Sequence, residues 1–303
     1  MAMAITPAAV LRGHRASLSS VAWCPAAPIL ASAALDSTVR LWRDDGKHLE
    51  TIAIDNASVS DLAWSPDGSV LAMGRNETIV LWRRAERSST VLCGHTAPVI
   101  CVAWAPEGET LVSGSYDKTI RLWDIDGRLL DTFENLSHFV MGVAWSPDGR
   151  SLAVATFDGW VQIFDLDKNI LATLNVGGER ASIATGVAWS PDGQLVAFSS
   201  FDKYVHLLTA TGEPVAQLKG HTWWVGGMEW SSNGAVLASH SSDGTICLWR
   251  SASAAEGAGP WEKIGKIKAH QGSVETMAWS KDGKLIASGG QDKKIRLWCV
   301  EGV

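Results

Sequence analysis

A tryptophan closes a short apolar segment seven times along this chain. It stands at Trp23, Trp64, Trp104, Trp145, Trp189, Trp230 and Trp279, at intervals of 41, 40, 41, 44, 41 and 49 residues. Ser-Pro-Asp-Gly follows three of these tryptophans, at 65–68, 146–149 and 190–193, and Ser280-Lys281-Asp282-Gly283 keeps most of it. Proline fixes φ and Asp-Gly tolerates positive φ, so this tetrapeptide is a tight turn between strands. Twelve or thirteen residues after each tryptophan comes an acidic residue or Asn: Asp36, Asn76, Asp117, Asp158, Asp202, Asp243 and Asp292. Six residues later another segment ends, at Trp42, Trp82, Trp123, Phe164, Leu208, Trp249 and Trp298. The residues between alternate, as in Thr119-Ile120-Arg121-Leu122-Trp123, which reads as a strand. A repeat of about 40 to 45 residues built of such units points to a β-propeller.

Further marks sharpen the reading. Gly13-His14, Gly94-His95 and Gly220-His221 precede three repeats, Ala269-His270 a fourth, and Trp123 is followed by Asp124. With these residues the chain resembles the WD40 repeat family over roughly residues 8 to 300. The resemblance implies an all-β fold: a closed seven-bladed β-propeller of four-stranded antiparallel blades, with residues 1–303 as one domain. Blade 3 sets the pattern, with strands expected near 98–104, 110–115, 119–124 and 128–133. Blade 7 runs out of chain after Cys299, and Ala9-Val10-Leu11-Arg12 is left over at the start. The resemblance implies that this N-terminal segment completes the last blade. Closure matters because an open ring would expose an unpaired edge. Two insertions depart from the period: 251–260, expected as a loop on the bottom face, and 177–180, expected on the top face.

Composition narrows the functional classes. The net charge is −6 and no like-charge run appears, which argues against a nucleic-acid surface. The five cysteines include no CxxC pair, so reduced thiols and a cytoplasmic protein are expected. The first residues lack a basic, apolar leader, and no apolar run approaches a membrane span.

Ser, His and Asp recur together, which invites a hydrolase reading. Four copies, one per blade, instead suit a structural network made by duplication, and the resemblance implies the same. The sets are His14, Ser32, Asp36 and Trp42; His95, Ser113, Asp117 and Trp123; His221, Ser239, Asp243 and Trp249; His270, Ser288, Asp292 and Trp298. Blades 2, 4 and 5 lack them, and Asn76 stands where blade 2 would have its Asp. These three blades are expected to be locally less stable. No metal spacing, phosphate loop or nucleophile elbow is present, so no cofactor, metal or catalytic residue is expected.

The resemblance implies contact positions on the top face, six and four residues before the first Trp and just before the turn Asp. Blades 3 to 6 fill them with apolar and aromatic residues: Ile100, Tyr116, Phe139, Met141, Phe157, Ile183, Phe201 and Trp224. Blades 1, 2 and 7 hold small or polar residues, among them Ser19, Ser60, Arg75 and Glu275. The expectation is a non-catalytic scaffold that binds a protein or peptide on the aromatic side, with Arg75 and Glu275 selecting charge. The alternative is a small-molecule or enzymatic propeller using the same mouth, with Arg75, Glu275 and His240 as its polar groups. A closed ring needs no second copy, so a monomer is expected, free to join a larger complex.

Overall fold

The computed structural model describes residues 4–55, 57–175, 182–252 and 259–302. Its regular elements are strands throughout, gathered into seven four-stranded antiparallel sheets. The inner strands end on the repeated tryptophans: Leu18–Trp23, Val59–Trp64, Val99–Trp104, Val140–Trp145, Ala184–Trp189, Val225–Trp230 and Val274–Trp279. Each packs on the next, and the last packs on the first, so the ring is closed.

The second strand of each blade is buried on both faces, as in Ile29–Ala34 and Leu195–Ser200. That explains their small residues (Ala-Ser-Ala-Ala, Val-Ser-Gly-Ser), since neighbouring blades stack at close-packed density. Five of the seven inner tryptophans also bond between blades, while the buried indole N–H groups of Trp23 and Trp189 have no such partner among the described residues. The indole N–H of Trp64 donates to the Ala22 carbonyl (3.3 Å), Trp104 to Ala63 (3.2 Å), Trp145 to Ala103 (3.2 Å), Trp230 to Ala188 (3.4 Å) and Trp279 to Glu229 (3.2 Å). A large apolar ring with one donor suits this position, because it fills the space between blades and its N–H can reach the carbonyl of the preceding blade.

Blade 7 is completed by the N-terminal strand, which runs antiparallel to Ile295–Glu301. That strand is Ala4–Leu11, longer than the segment marked in the sequence, because Ile5 packs into the apolar cluster around Val300. In blade 6 the third strand runs to Ser251 and the outer one starts at Trp261. The Ala252 amide bonds the Pro260 carbonyl there, at 2.9 Å. Residues 253–258 of that insertion, and 177–180 of the other, lie outside the described residues.

Blade 2 departs from the expected alignment. In six blades the residue after the turn Asp is left-handed: Ser37, Lys118, Gly159, Lys203, Gly244 and Lys293. In blade 2 the left-handed residue is Asn76 itself, at φ 46°. The turn is one residue shorter, with Arg75 pairing directly to Thr78. Asn76 therefore replaces the left-handed residue and not the Asp, a position Asn tolerates better than most side chains. The same shortening puts Arg75 opposite Val59, in the row of Ser115 opposite Val99, one step before Tyr116.

Candidate functional site

The four His/Ser/Asp/Trp sets form a repeated hydrogen-bonded chain. In blade 3, the Trp123 indole N–H donates to Ser113 Oγ (2.8 Å), which meets His95 Nε2 (2.8 Å). His95 Nδ1 faces Asp117 Oδ2 at 2.7 Å. With Nδ1–H donating to the carboxylate, Nε2 accepts the serine proton, and every member is satisfied. Blades 1, 6 and 7 repeat the Trp-to-Ser and His-to-Ser bonds at 2.8–3.0 Å. Burial holds the imidazoles of His14, His95 and His270 below the usual histidine range, against the pull of their aspartates. Burial alone would raise Asp36, but bonds from the Thr38 hydroxyl and Arg15 amide, with His14 beside it, hold the carboxyl below its usual range. The His14 and His95 side chains are only 1% accessible, so this arrangement faces no substrate.

In blade 4 the equivalent space holds Leu136, Val154 and Phe164, all buried. In blade 5 an imidazole arrives from the third strand. His206 Nε2 bonds Asp202 Oδ2 at 2.8 Å, and its ring stacks on Phe198 at 4.6 Å. His138, two residues past the family position in blade 4, turns to the top face and stacks on Phe157 at 5.1 Å.

The top-face positions are tied in pairs by the backbone. The amide of Tyr116 donates to the Pro98 carbonyl (3.0 Å), Phe157 to Phe139 (2.9 Å), Phe201 to Ile183 (3.1 Å) and Ser242 to Trp224 (3.0 Å). These bonds bring residues far apart in sequence to one rim. The aromatic rings gather in two groups. Phe139 contacts Tyr116 at 4.8 Å and Phe157 at 5.9 Å between ring centres, with His138 against both phenylalanines. Phe201 stacks face to face on Trp224 at 4.2 Å, and Trp223 lies 5.6 Å beyond. Phe157 is 38% exposed, Trp224 41% and Trp223 49%. Lys203 Nζ sits over the Trp223 ring at 5.5 Å. Sequence reasoning missed Trp223 and His138, whose only signal was adjacency to Trp224 and Phe139.

Ile100, Met141 and Glu275 line the central recess, about 260 Å³, with His240. On the polar side the small residues are structural. Ser19 and Ser60 donate to the Val59 and Val99 carbonyls of the following blade at 2.6 Å each. Arg75 Nη2 donates to the Asp55 carbonyl (2.8 Å), and His240 Nδ1 to the Val274 carbonyl (3.0 Å). Burial pushes His240 down to about 4 and Glu229 up to about 7, the latter against a bond from the Trp279 amide. All five cysteines are free. Among the described residues no cluster of His, Cys, Asp or Glu suits a metal, and no helix is long and apolar enough to cross a membrane.

The ring of seven blades and its tetrads define a class, the WD40-type propellers. Residues 127–165, 170–207, 212–250 and 261–299 match the WD domain, G-beta repeat, and residues 11–134 match the description "IFT140 first beta-propeller". The WD40 matches span more than half of the chain, and it belongs to that family. Among curated relatives it is 36% identical to mouse WD repeat-containing protein 25 over 69 residues, 21% of this chain. It is 39% identical to the probable cytosolic iron-sulfur protein assembly protein Ciao1 of Culex quinquefasciatus over 67 residues, 20% of this chain. It is 34% identical to the human F-box-like/WD repeat-containing protein TBL1Y over 82 residues, 22% of this chain. These matches span 13%, 20% and 16% of the relatives' own lengths.

Proposed function

We propose that this propeller is a non-catalytic scaffold whose aromatic rim, from Tyr116 round to Trp224, receives an extended peptide or loop of a protein partner. Propellers of this family typically serve protein interaction. The observation that carries the finer reading is the exposure of Phe157, Trp223 and Trp224 on one face, in contact with further rings. Exposed aromatic groups of this kind are the usual anchors of interfaces. Ile100, Met141 and Ile183 continue the apolar surface toward the recess, and the exposed Glu275 supplies charge selection opposite. Of the polar groups available to a small-molecule site, His240 is buried and already bonded to the Val274 carbonyl, which favours the scaffold reading.

The test is affinity capture from the native lysate with wild type and the Phe157→Ala/Trp224→Ala double variant. The variant is expected to lose a specific partner at least tenfold (about 1.4 kcal/mol or more), with folding stability changed by less than about 1 kcal/mol. Equal retention by both proteins overturns the site assignment.

A further inference from the structure

We infer that the outer strand of blade 2, Ser88–Cys93, is an open edge on which a second copy of this chain pairs antiparallel. A propeller closes through its inner strands and leaves one free side on the outer strand of every blade. Folded proteins blunt such edges with bulges, prolines and charges. Six of the seven outer strands carry a bulge at the same place. Their pairing with the third strand skips one residue: Ala8, Leu49, Leu130, Leu171, Val215 or Ile264. Five of those six add a proline or a charge, such as Pro7, Glu50, Asp131, Pro214 and Lys263.

Ser88–Cys93 has none of these devices. It pairs residue for residue with Thr78–Arg83, from Ser88↔Arg83 to Cys93↔Thr78, without a shift. It contains no proline and no charge, and Ser88, Ser89, Thr90 and Val91 are all exposed. Successive exposed residues from Ser88 to Val91 point to both faces, and only Leu92 beyond them is buried, against the turn at Gly127.

The chemistry of the edge favours its own copy. The exposed side chains are three hydroxyls, one valine and the Cys93 thiol, too little apolar surface to select a hydrophobic strand but well suited to Thr and Val cross-strand pairs. The preceding turn carries Arg84, Glu86 and Arg87, the last paired with Glu50 of blade 1 at 3.3 Å, whereas Cys93 and Gly94 at the other end are uncharged. Antiparallel pairing sets each charged end against the uncharged end of the other copy. Parallel pairing would set arginine against arginine. Opposed residues in an antiparallel ladder share one hydrogen-bonding direction, so two identical strands must place the same residue on the two-fold axis. That residue is Thr90 or Val91, with the rest of the strand paired symmetrically around it. A contact of one strand per copy falls below about 1,000 Å², so the dimer is weak and concentration-dependent.

The experiment uses full-length protein in a Cys93→Ser background. Thr90→Cys and Val91→Cys are oxidised separately with copper phenanthroline in air. Thr173→Cys, on the bulged edge of blade 4, reports random collision. One of the first two variants is expected to give about tenfold more covalent dimer than the third. In parallel, sedimentation velocity of the wild type is expected to shift toward a dimer as concentration rises. Thr90→Lys, which supplies the charge other blades carry, should weaken association by about tenfold without lowering the unfolding temperature. Crosslinking no better than Thr173→Cys, or a monomer at every concentration, overturns the inference.

Discussion

In blade 3 the space between the entry loop, the second strand and the third strand is filled by His95, Ser113 and Trp123, joined by hydrogen bonds. In blade 4, immediately beside it, the same space holds Leu136, Val154 and Phe164, and Phe164 meets Phe133 edge to face at 5.8 Å. Both blades have the same strand register. A propeller blade can therefore be cemented by a satisfied polar network or by plain apolar packing. What changes is the loop above. His95 and the Thr96 amide tie the blade 3 loop to Asp117, at 2.7 and 3.0 Å. The blade 4 loop has no such tether, and its His138 lies instead against the exposed Phe157. Blade 5 likewise lacks the tetrad and carries Phe201. The candidate rim draws on both kinds of loop, since Tyr116 and Trp224 stand in blades 3 and 6, which keep the network, while Phe139, Phe157 and Phe201 stand in blades 4 and 5, which lack it.

The comparison is open to attack by mutation. The largest effect is expected in blade 3, where His95→Ala strands Ser113 and Asp117 in a buried space. The loss should be about 3 kcal/mol in urea unfolding. If His95→Ala costs no more than a surface change, the network is decoration and the contrast collapses. In blade 4, Leu136→His alone should cost about 2 kcal/mol, because the ring meets Val154 and Phe164 and finds no partner. The triple variant L136H/V154S/F164W should recover most of that loss. A triple variant no better than the sum of its parts would show that the network needs more than these side chains.

Smaller effects are expected from two buried groups between blades 6 and 7. Glu229 takes the place that alanine holds in the other blades, and its carboxyl is raised to about 7 from 4.5. The folded chain keeps a proton there that the unfolded chain has lost, so this group makes stability fall as pH rises from about 4.5 to about 7. His240 works the other way. Its value falls to about 4 from 6.5, so the unfolded chain takes up a proton first and stability falls as pH drops through that window. The two slopes oppose each other between 4.5 and 6.5. Glu229→Gln should raise stability above pH 7 by about 1 kcal/mol, a discounted figure because the side chain keeps some accessible surface. It should also expose a steeper loss on the acid side. Urea midpoints measured from pH 4.5 to 8 would check both signs. The smallest change is expected in blade 5, where His206→Gln removes a partly exposed pair with Asp202 and should cost about 0.5 kcal/mol.

Period and turn chemistry carried the architecture. Seven tryptophans, the Ser-Pro-Asp-Gly turns and the strand-end aromatics were legible because each answers a local rule repeated in every blade. The spare N-terminal segment was legible as the missing strand, though its length was not, since Ile5 joins only when Val300 is there to pack against. The blade 2 turn was misread by one residue, because composition alone does not tell an anchoring Asp from a left-handed Asn. Nor did spacing reveal that Ser19, Ser60, Arg75 and His240 are bonded to backbone carbonyls.

The sequence by itself determined the number of blades, their order and the residue types on the rim, since these follow from periodicity and from what each strand must bury. Only the tertiary structure decided which rim residues meet, which polar groups are already occupied, and which outer edge is left flat. Those properties depend on neighbours 20 to 50 positions away, as the Ser19–Val59 and Trp279–Glu229 bonds illustrate. A ring brings such neighbours together only once it has closed.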